Sequence, residues 1–192
     1  MLTVAMPLVA DAVASERAYF ARKSEILAEL TTRFHTARFA LEWRLNNLDA
    51  PGIGARGTYL TLTGTSAEDA DSGQVGRGNR VGGVISFARP TSGEAAAGKN
   101  AIAHAGKIYD VFSHHLARTV YARCPGLAEV YVNLMTRIGE PVDRPWVGVQ
   151  VVLHDGVHLA DVQPSIRAVI DDGLEQLPAF REQLVRGEHS VI

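Results

Sequence analysis

The sequence contains a single cysteine, Cys124, in a chain of 192 residues. One thiol can form neither an intrachain disulfide nor a cluster of thiolate metal ligands. We expect Cys124 to be a buried packing residue at the end of a helix, because free cysteine often packs as a small apolar side chain. The scarcity of cysteine also favours a reducing compartment.

The N-terminal apolar run is too short for a membrane helix. Leu2–Ala10 ends at Asp11, whereas a membrane span needs about 20 apolar residues. Neither Lys nor Arg precedes this run, although a secretory signal begins with a positively charged segment. The sequence therefore predicts a cytoplasmic protein that does not associate with membranes.

Neither sign of charge dominates the chain, which carries 19 Lys and Arg against 21 Asp and Glu, a net charge of −2. This balance excludes a general electrostatic affinity for nucleic acid or for an anionic membrane surface. The basic loops also lack the interleaved aromatic residues that stack on single-stranded nucleic acid. We expect no nucleic-acid partner, and any anion-binding function must be local.

Hydrophobic periodicity predicts an α+β protein. Alternating residues indicate strands, and apolar residues three or four apart indicate amphipathic helices, with Asn100 as a possible cap of the middle helix. The resulting order favours two similar layers of mostly antiparallel sheet with helices on one face. The predicted strands are Leu2–Leu8, Arg38–Leu48, Thr58–Thr63, Val81–Phe87, Val130–Ile138 and Val147–Leu153, and the predicted helices are Val9–Phe34, Ala101–Arg123 and Pro164–Val185.

A glycine-rich loop at Gly73–Arg80 is a candidate anion-binding site. Its glycines, Gly73, Gly76 and Gly78, let the backbone approach a ligand closely, and successive N–H groups can then surround an anion. Arg77 and Arg80 add guanidinium groups that suit phosphate oxygens. A solvent-exposed hairpin that carries two arginines is an equally good interpretation of this loop.

A second candidate site is Gly98-Lys99-Asn100, which immediately precedes a predicted helix. A lysine beside a helix N-terminus places a cation next to the positive end of the helix dipole, an arrangement that favours a bound phosphate. The alternative is that Lys99 is a solvated loop residue. The cations of residues 75–107 outnumber the acids, with Glu94 as the single carboxylate, so a polyphosphate ligand is the functional interpretation.

Several long motifs resemble the C-terminal half of the archaeal-type S-adenosylmethionine synthetases. The run Thr63–Glu68, the loop Gly76–Val81 and Arg89-Pro90 match family motifs in order. They are followed by Glu94–Asn100 and by His104–Tyr109, which are similar to Glu-Ala-x-x-Gly-Lys-Asn and His-x-Gly-Lys-Ile-Tyr. The resemblance spans nearly the whole chain and implies the fold of that family.

The resemblance also implies a reaction and a set of site residues. In the family, ATP and methionine form S-adenosylmethionine, and the triphosphate that leaves is hydrolysed. By resemblance, Arg77 and Lys99 hold triphosphate oxygens and Asp71 faces the methionine ammonium group. The family also implies Mg²⁺, with K⁺ as a second candidate ion. The remaining residues implied to bind substrate or ATP are Gly76, Gly78, Asn79, Arg80, Gly98, Asn100, His104 and Lys107.

The chain departs from the family pattern in ways that bear on its activity. Family members are about twice as long, and the His-Pro-Asp segment of their N-terminal half has no match here. Ala70-Asp71-Ser72 and Ala101-Ile102-Ala103 replace Gly-Asp-Asp and Pro-Val-Asn, and no metal site can be assigned.

The resemblance therefore predicts two of the family's three domains: a partial central α+β domain at 1–64, glycine-rich substrate loops at 65–101 and a C-terminal α+β domain at 102–192. The expected partner is a separate subunit like the N-terminal half, a second copy of this chain, or both. A non-catalytic relative that binds nucleotide or polyphosphate as a regulatory subunit is the alternative function.

Overall fold

The structure is a computed structural model that describes residues 1–35, 41–65, 80–83 and 86–192. The chain divides into two compact units, Met1–Asp71 with Arg137–Glu140 and Ser72–Thr136 with Pro141–Ile192. Among the described residues, no helix is long and apolar enough to cross a membrane.

In the described residues, the first unit combines one α-helix and two short 3-10 helices, Ala10–Ala12 and Gly54–Gly57, with two short pairs of parallel strands. Strand β1 (Leu2–Val4) pairs with β3 (Trp43–Leu45), and β2 (Leu8–Val9) pairs with β4 (Leu60–Thr61). Helix α1 spans Glu16–Arg33 and begins where the Ser15 hydroxyl accepts a hydrogen bond from the Ala18 amide at 3.1 Å. Such a cap satisfies one of the free amides at a helix N-terminus.

Tyr19 of α1 is completely buried and joins three segments of the first unit. Its hydroxyl donates to Asp49 Oδ2 at 2.8 Å, and it accepts from Asn46 Nδ2 at 2.9 Å and from the Tyr59 amide at 3.1 Å. Lys23 contacts the same Asp49 oxygen at 2.8 Å. The network satisfies polar groups that burial would otherwise leave unpaired.

The second unit packs three helices and a two-stranded sheet around one core. In chain order, its elements are α2 (Ala105–Arg123), β5 (Leu127–Met135), β6 (Trp146–Leu153), α3 (Leu159–Glu175) and α4 (Leu177–Val185). Strands β5 and β6 pair antiparallel, with a register shift between Leu127 and Glu129. Because side chains alternate along a strand, Val130, Val132 and Leu134 share the face that packs against the core.

Helix α2 lies at the centre of this core. Ile108, Phe112, Leu116 and Val120 recur every fourth residue and are all buried. Cys124 follows in the same stripe, is 1% exposed and caps the C-terminus of α2. The predicted role of Cys124 as a packing residue at a helix end is confirmed.

The predicted mixture of helices and strands is confirmed, but four details differ. The predicted helix Val9–Phe34 begins only at Glu16, because Val9 belongs to β2. Two of the three described strand pairs are parallel, because alternation along a strand reveals its buried face and not the direction of its neighbour. Gly82 and Gly83 have φ of +88° and +64°, so residues 81–83 of the predicted strand Val81–Phe87 form a turn, and Ser86 and Phe87 are not in a strand. The predicted helix Pro164–Val185 begins at Leu159 and is divided between α3 and α4.

Other predictions are confirmed in part or remain predictions. Strand β3 lies within the predicted strand Arg38–Leu48, of which residues 38–40 are outside the described residues. The predicted division of the chain at residues 64/65 and 101/102 remains a prediction.

Candidate functional site

The predicted site residues that the structure describes lie in the second unit, around the N-terminus of α2. We call residues 94–104, which lead into this helix, the Lys99 loop. The described members of the set are Arg80, Gly98, Lys99, Asn100, His104 and Lys107. Asp71, Gly76, Arg77, Gly78 and Asn79 lie outside the described residues.

Lys99 is buried, and its ammonium group is bound within its own loop. The side chain is 6% exposed, and Nζ lies 2.5 Å from Glu94 Oε1. The same nitrogen donates a hydrogen bond to the Ala95 carbonyl at 2.8 Å. The sequence-based alternative of a solvated lysine is therefore wrong, and a phosphate would have to compete with Glu94 for this cation.

The backbone around Lys99 is held in place by Gly98 and Lys107. Gly98 has a φ of +77°, a conformation that glycine adopts without strain. Lys107 Nζ donates to the Lys99 carbonyl at 2.7 Å, and burial lowers the pKa of Lys107. Lys99, predicted to bind triphosphate, and Lys107, predicted to bind substrate or ATP, are thus neighbours in space.

The N-terminal cap of α2 is His104, not Asn100. His104 Nδ1 accepts a hydrogen bond from the Lys107 amide at 3.2 Å. Asn100 Oδ1 instead accepts from the Ile102 amide at 2.7 Å and stabilises the turn before the helix. Sequence reasoning chose Asn100 because asparagine is a common cap, but the turn at residues 101–103 separates it from the helix.

Gly106 allows Glu94 and His104 to approach the first turn of α2. A Cβ atom at position 106 would lie 2.9 Å from His104 Cε1 and 3.0 Å from Glu94 Cδ. The first separation is shorter than real Cβ contacts and the second is tighter than nearly all of them, so a larger residue here would force these two side chains to shift. The carboxylate that binds Lys99 is therefore placed beside the helix N-terminus.

Two arginines near the Lys99 loop also have polar partners. Arg80 Nη1 donates to Thr91 Oγ1 at 3.0 Å. Arg89 Nη2 lies 3.2 Å from Glu129 Oε1 on β5. Arg80, Arg89, Lys99 and Lys107 are all cations of the predicted positive region, and each has a polar partner in the second unit.

A cavity of about 580 Å³ lies beside this site, between α2, β5 and the loop residues 80–82, 90–92 and 94. We call it the α2 cavity. Its walls include the apolar side chains of Val130, Val132 and Leu134, together with the charged side chains of Arg80 and Asp110. The volume falls within the range of roughly 300–1,000 Å³ that is usual for small-molecule sites.

Sequence reasoning missed Asp110, which lines the α2 cavity. This carboxyl group is 7% exposed, and its Oδ2 atom has no hydrogen-bond partner among the described residues. Burial and the charge of Glu94 raise its pKa from 3.8 to about 6, against the opposing effects of Lys99 and Arg80. One sequence signal was present: Asp110 is the only charged residue in the otherwise apolar run Ile108–Phe112, and all five residues are buried in the structure.

The described residues do not provide a metal centre. They contain no group of three or more His, Cys, Asp or Glu side chains that could hold an ion. Mg²⁺ and K⁺ remain predictions of the family resemblance, which places their ligands mostly in a partner chain.

The chain resembles known proteins along nearly its whole length. The family model described as S-adenosylmethionine synthetase (AdoMet synthetase) matches residues 1–188. The S-adenosylmethionine synthase of Aeropyrum pernix is 41% identical over 195 residues, covering 99% of this chain and 47% of the relative. That of Methanobrevibacter smithii is 38% identical and covers 97% of this chain and 47% of the relative.

A third relative matches a shorter region with similar identity. The S-adenosylmethionine synthase of Methanoregula boonei is 44% identical over 140 residues, covering 72% of this chain and 35% of the relative. The chain thus spans about half the length, or less, of these relatives.

Proposed function

Because the chain belongs to the S-adenosylmethionine synthetase family, we propose that it is one subunit of a split synthetase that forms S-adenosylmethionine from ATP and methionine. The observation that carries this proposal is the family match over residues 1–188 in a chain that covers 47% of its relatives. The partner would be a separate polypeptide that corresponds to the other half of those relatives, with or without a second copy of this chain.

The proposed reaction places a large negative charge on its leaving group. The methionine sulfur attacks C5′ of the ATP ribose, so a sulfur–carbon bond forms and the bond from C5′ to the triphosphate oxygen breaks. Triphosphate leaves with the electron pair and is then hydrolysed to phosphate and diphosphate. Catalysis of such a step consists mainly of positioning and of cations aimed at the leaving oxygens.

Lys99 and Lys107 are the described residues best placed to bind that triphosphate. They contact each other through the Lys99 carbonyl beside the N-terminus of α2, where the helix dipole favours anions. Lys99 would exchange its Glu94 partner for a phosphate oxygen and could keep its bond to the Ala95 carbonyl. Two further assignments rest on the family resemblance alone. These are the binding of triphosphate by Arg77 and the binding of the methionine ammonium group by Asp71.

The proposed cofactor is Mg²⁺, with K⁺ as a second ion. The ligands of both ions would lie mainly in the partner subunit. The described residues of this chain supply no cluster of metal ligands. Bound Mg²⁺ would neutralise part of the triphosphate charge.

One observation supports a second candidate function, a regulatory subunit that binds nucleotide or polyphosphate without turnover. The Lys99 ammonium group is 2.5 Å from Glu94 and is already satisfied by its own loop. A subunit that only senses polyphosphate could use this exchange of partners as its response.

The test is reconstitution with a polypeptide that matches the missing half of the relatives. The chain alone should form no S-adenosylmethionine, and the complex should form it from ATP and methionine. In that complex, Lys99→Ala should lower turnover by roughly two orders of magnitude or more, the usual effect of losing one preorganised charge contact.

The matched control is Arg186→Ala, which removes an exposed cation paired with Glu188 at the C-terminal end of α4. This variant should retain the parent rate. Synthesis by the isolated chain would contradict the split-subunit proposal. A complex that binds tripolyphosphate through Lys99 but never forms product would support the regulatory subunit instead.

A further inference from the structure

The Asp110 carboxyl group is buried in the second unit without an adequate partner. It is 7% exposed, and Oδ2 accepts no hydrogen bond in the described part of the chain. Buried polar groups are almost always hydrogen-bonded, and a buried charge without a partner is costly. Such a group in the wall of a cavity indicates that a ligand supplies the missing donor.

The charges that face Asp110 do not provide this donor. Lys99 is bound to Glu94 and to the Ala95 carbonyl, and Arg80 is bound to Thr91. Glu94 adds a second negative charge that acts on Asp110. From the same helix, His114 borders the cavity, and burial together with Arg118 lowers the pKa of this imidazole, which favours its neutral form.

One wall of the α2 cavity is suited to an apolar group. The side chains of Val130, Val132 and Leu134 lie on one face of β5 and line the cavity, together with Ala117 of α2. At about 580 Å³ the cavity is larger than a water molecule requires. The site therefore combines an apolar wall with polar lining residues, among which the Asp110 carboxylate is buried and has no partner for Oδ2 in the described part of the chain.

We propose that the α2 cavity binds a small organic cation, a primary amine with an apolar body. The ammonium group donates hydrogen bonds to Asp110, and the apolar body packs against the aliphatic side chains of β5. An organic cation fits better than a metal ion, because the described residues offer no group of three metal ligands. The inference does not depend on synthetase activity and can be tested on this chain alone.

The test compares phenethylamine with 2-phenylethanol, which has the same apolar body and no charge. Affinities are measured by titration calorimetry on the full chain at pH 8, above the Asp110 pKa of about 6. We expect the amine to bind at least about tenfold more tightly than the alcohol, because a hydrogen bond to a charged group is stronger than a neutral one. Asp110→Asn should abolish this preference, whereas Asp155→Asn, at an exposed turn, should retain it.

The pH dependence on the unmodified chain provides a second measurement that does not require a variant to fold. The amine remains protonated throughout, so its affinity should fall as the pH drops through about 6 and Asp110 takes up a proton. The affinity for the alcohol should stay constant over the same range. Equal binding of the two probes at pH 8, a pH-independent preference for the amine, or a preference that survives Asp110→Asn would overturn the proposal.

Discussion

At the scale of single residues, the hydroxyl group of Tyr19 joins α1 to the segments that contain Asn46, Asp49 and Tyr59. Tyr19→Phe should lower the free energy of unfolding by about 1–3 kcal/mol, because it leaves buried polar groups without a partner. Urea unfolding measures this loss. Tyr121→Phe is the matched control, since Tyr121 is 55% exposed and should tolerate the change. Equal stability of the two variants would show that the network contributes little.

A second prediction at the scale of residues is a pH-dependent stability that comes from Asp110. The pKa of this carboxyl group in the folded chain is about 6, above its ordinary value of 3.8. The folded state therefore binds this proton more tightly than the unfolded state. The corresponding stability is present below about pH 4 and is lost as the pH rises through 6, by up to about 3 kcal/mol.

The variant Asp110→Asn should remove this pH dependence. Its free energy of unfolding, relative to that of the parent chain, should be higher at pH 7.5 than at pH 4.5. Comparing the variant with the parent at each pH cancels the titration of the other carboxyl groups. Parallel curves for the two proteins would contradict the raised pKa.

At the scale of elements, the Lys99 loop holds its cation against Glu94, and an anion must displace this carboxylate. Glu94→Gln should therefore raise the affinity of the chain for inorganic tripolyphosphate by about tenfold, since a neutral amide competes less well for an ammonium group. Titration calorimetry measures the change.

The matched control for this loop prediction is Glu129→Gln, which breaks the ion pair of Arg89 with Glu129 on β5. This substitution should leave the affinity for tripolyphosphate unchanged. An unchanged affinity in Glu94→Gln would indicate that Lys99 does not bind the anion.

The elements of the second unit were predictable where periodicity is strong. Helix α2 has four-residue spacing from Ile108 to Val120, and β5 and β6 alternate, so their types follow from the sequence. The division between α3 and α4 was missed, although Pro178 in the first turn of α4 was a signal. The parallel or antiparallel direction of strand pairing was not predictable, because it depends on which strand lies alongside in the folded chain.

The candidate site was predictable only in part. The sequence motifs identified the Lys99 loop, and the structure brings Lys99 and Lys107 together. The pairing of Lys99 with Glu94, against which a phosphate must compete, could not be read from the sequence, because it depends on how the Lys99 loop folds. Asp110 was missed because periodicity arguments count apolar residues, whereas its unusual property comes from burial in three dimensions.

At the scale of the whole molecule, the chain covers about half the length of its relatives, and the β5–β6 sheet presents apolar side chains to solvent. Met135 and Trp146 pair across the two strands, and both are 61% exposed. Val152, on the same face, is 48% exposed. Exposed apolar groups that share a face commonly mark an interface, so we expect the isolated chain to associate at micromolar concentration.

Trp146→Lys should weaken this association by about tenfold or more, because a buried tryptophan often dominates the energy of an interface and a buried ammonium group opposes it. Sedimentation velocity over a range of concentrations measures the change. Tyr121→Lys is the control, since Tyr121 is a similarly exposed aromatic residue on α2, at 55% exposure, outside the β5–β6 face. A parent chain that remains monomeric, or equal effects of the two substitutions, would exclude this face as the site of self-association. Recovery of the parent behaviour by Trp146→Phe, which restores an apolar ring, would show that the apolar contact itself drives assembly.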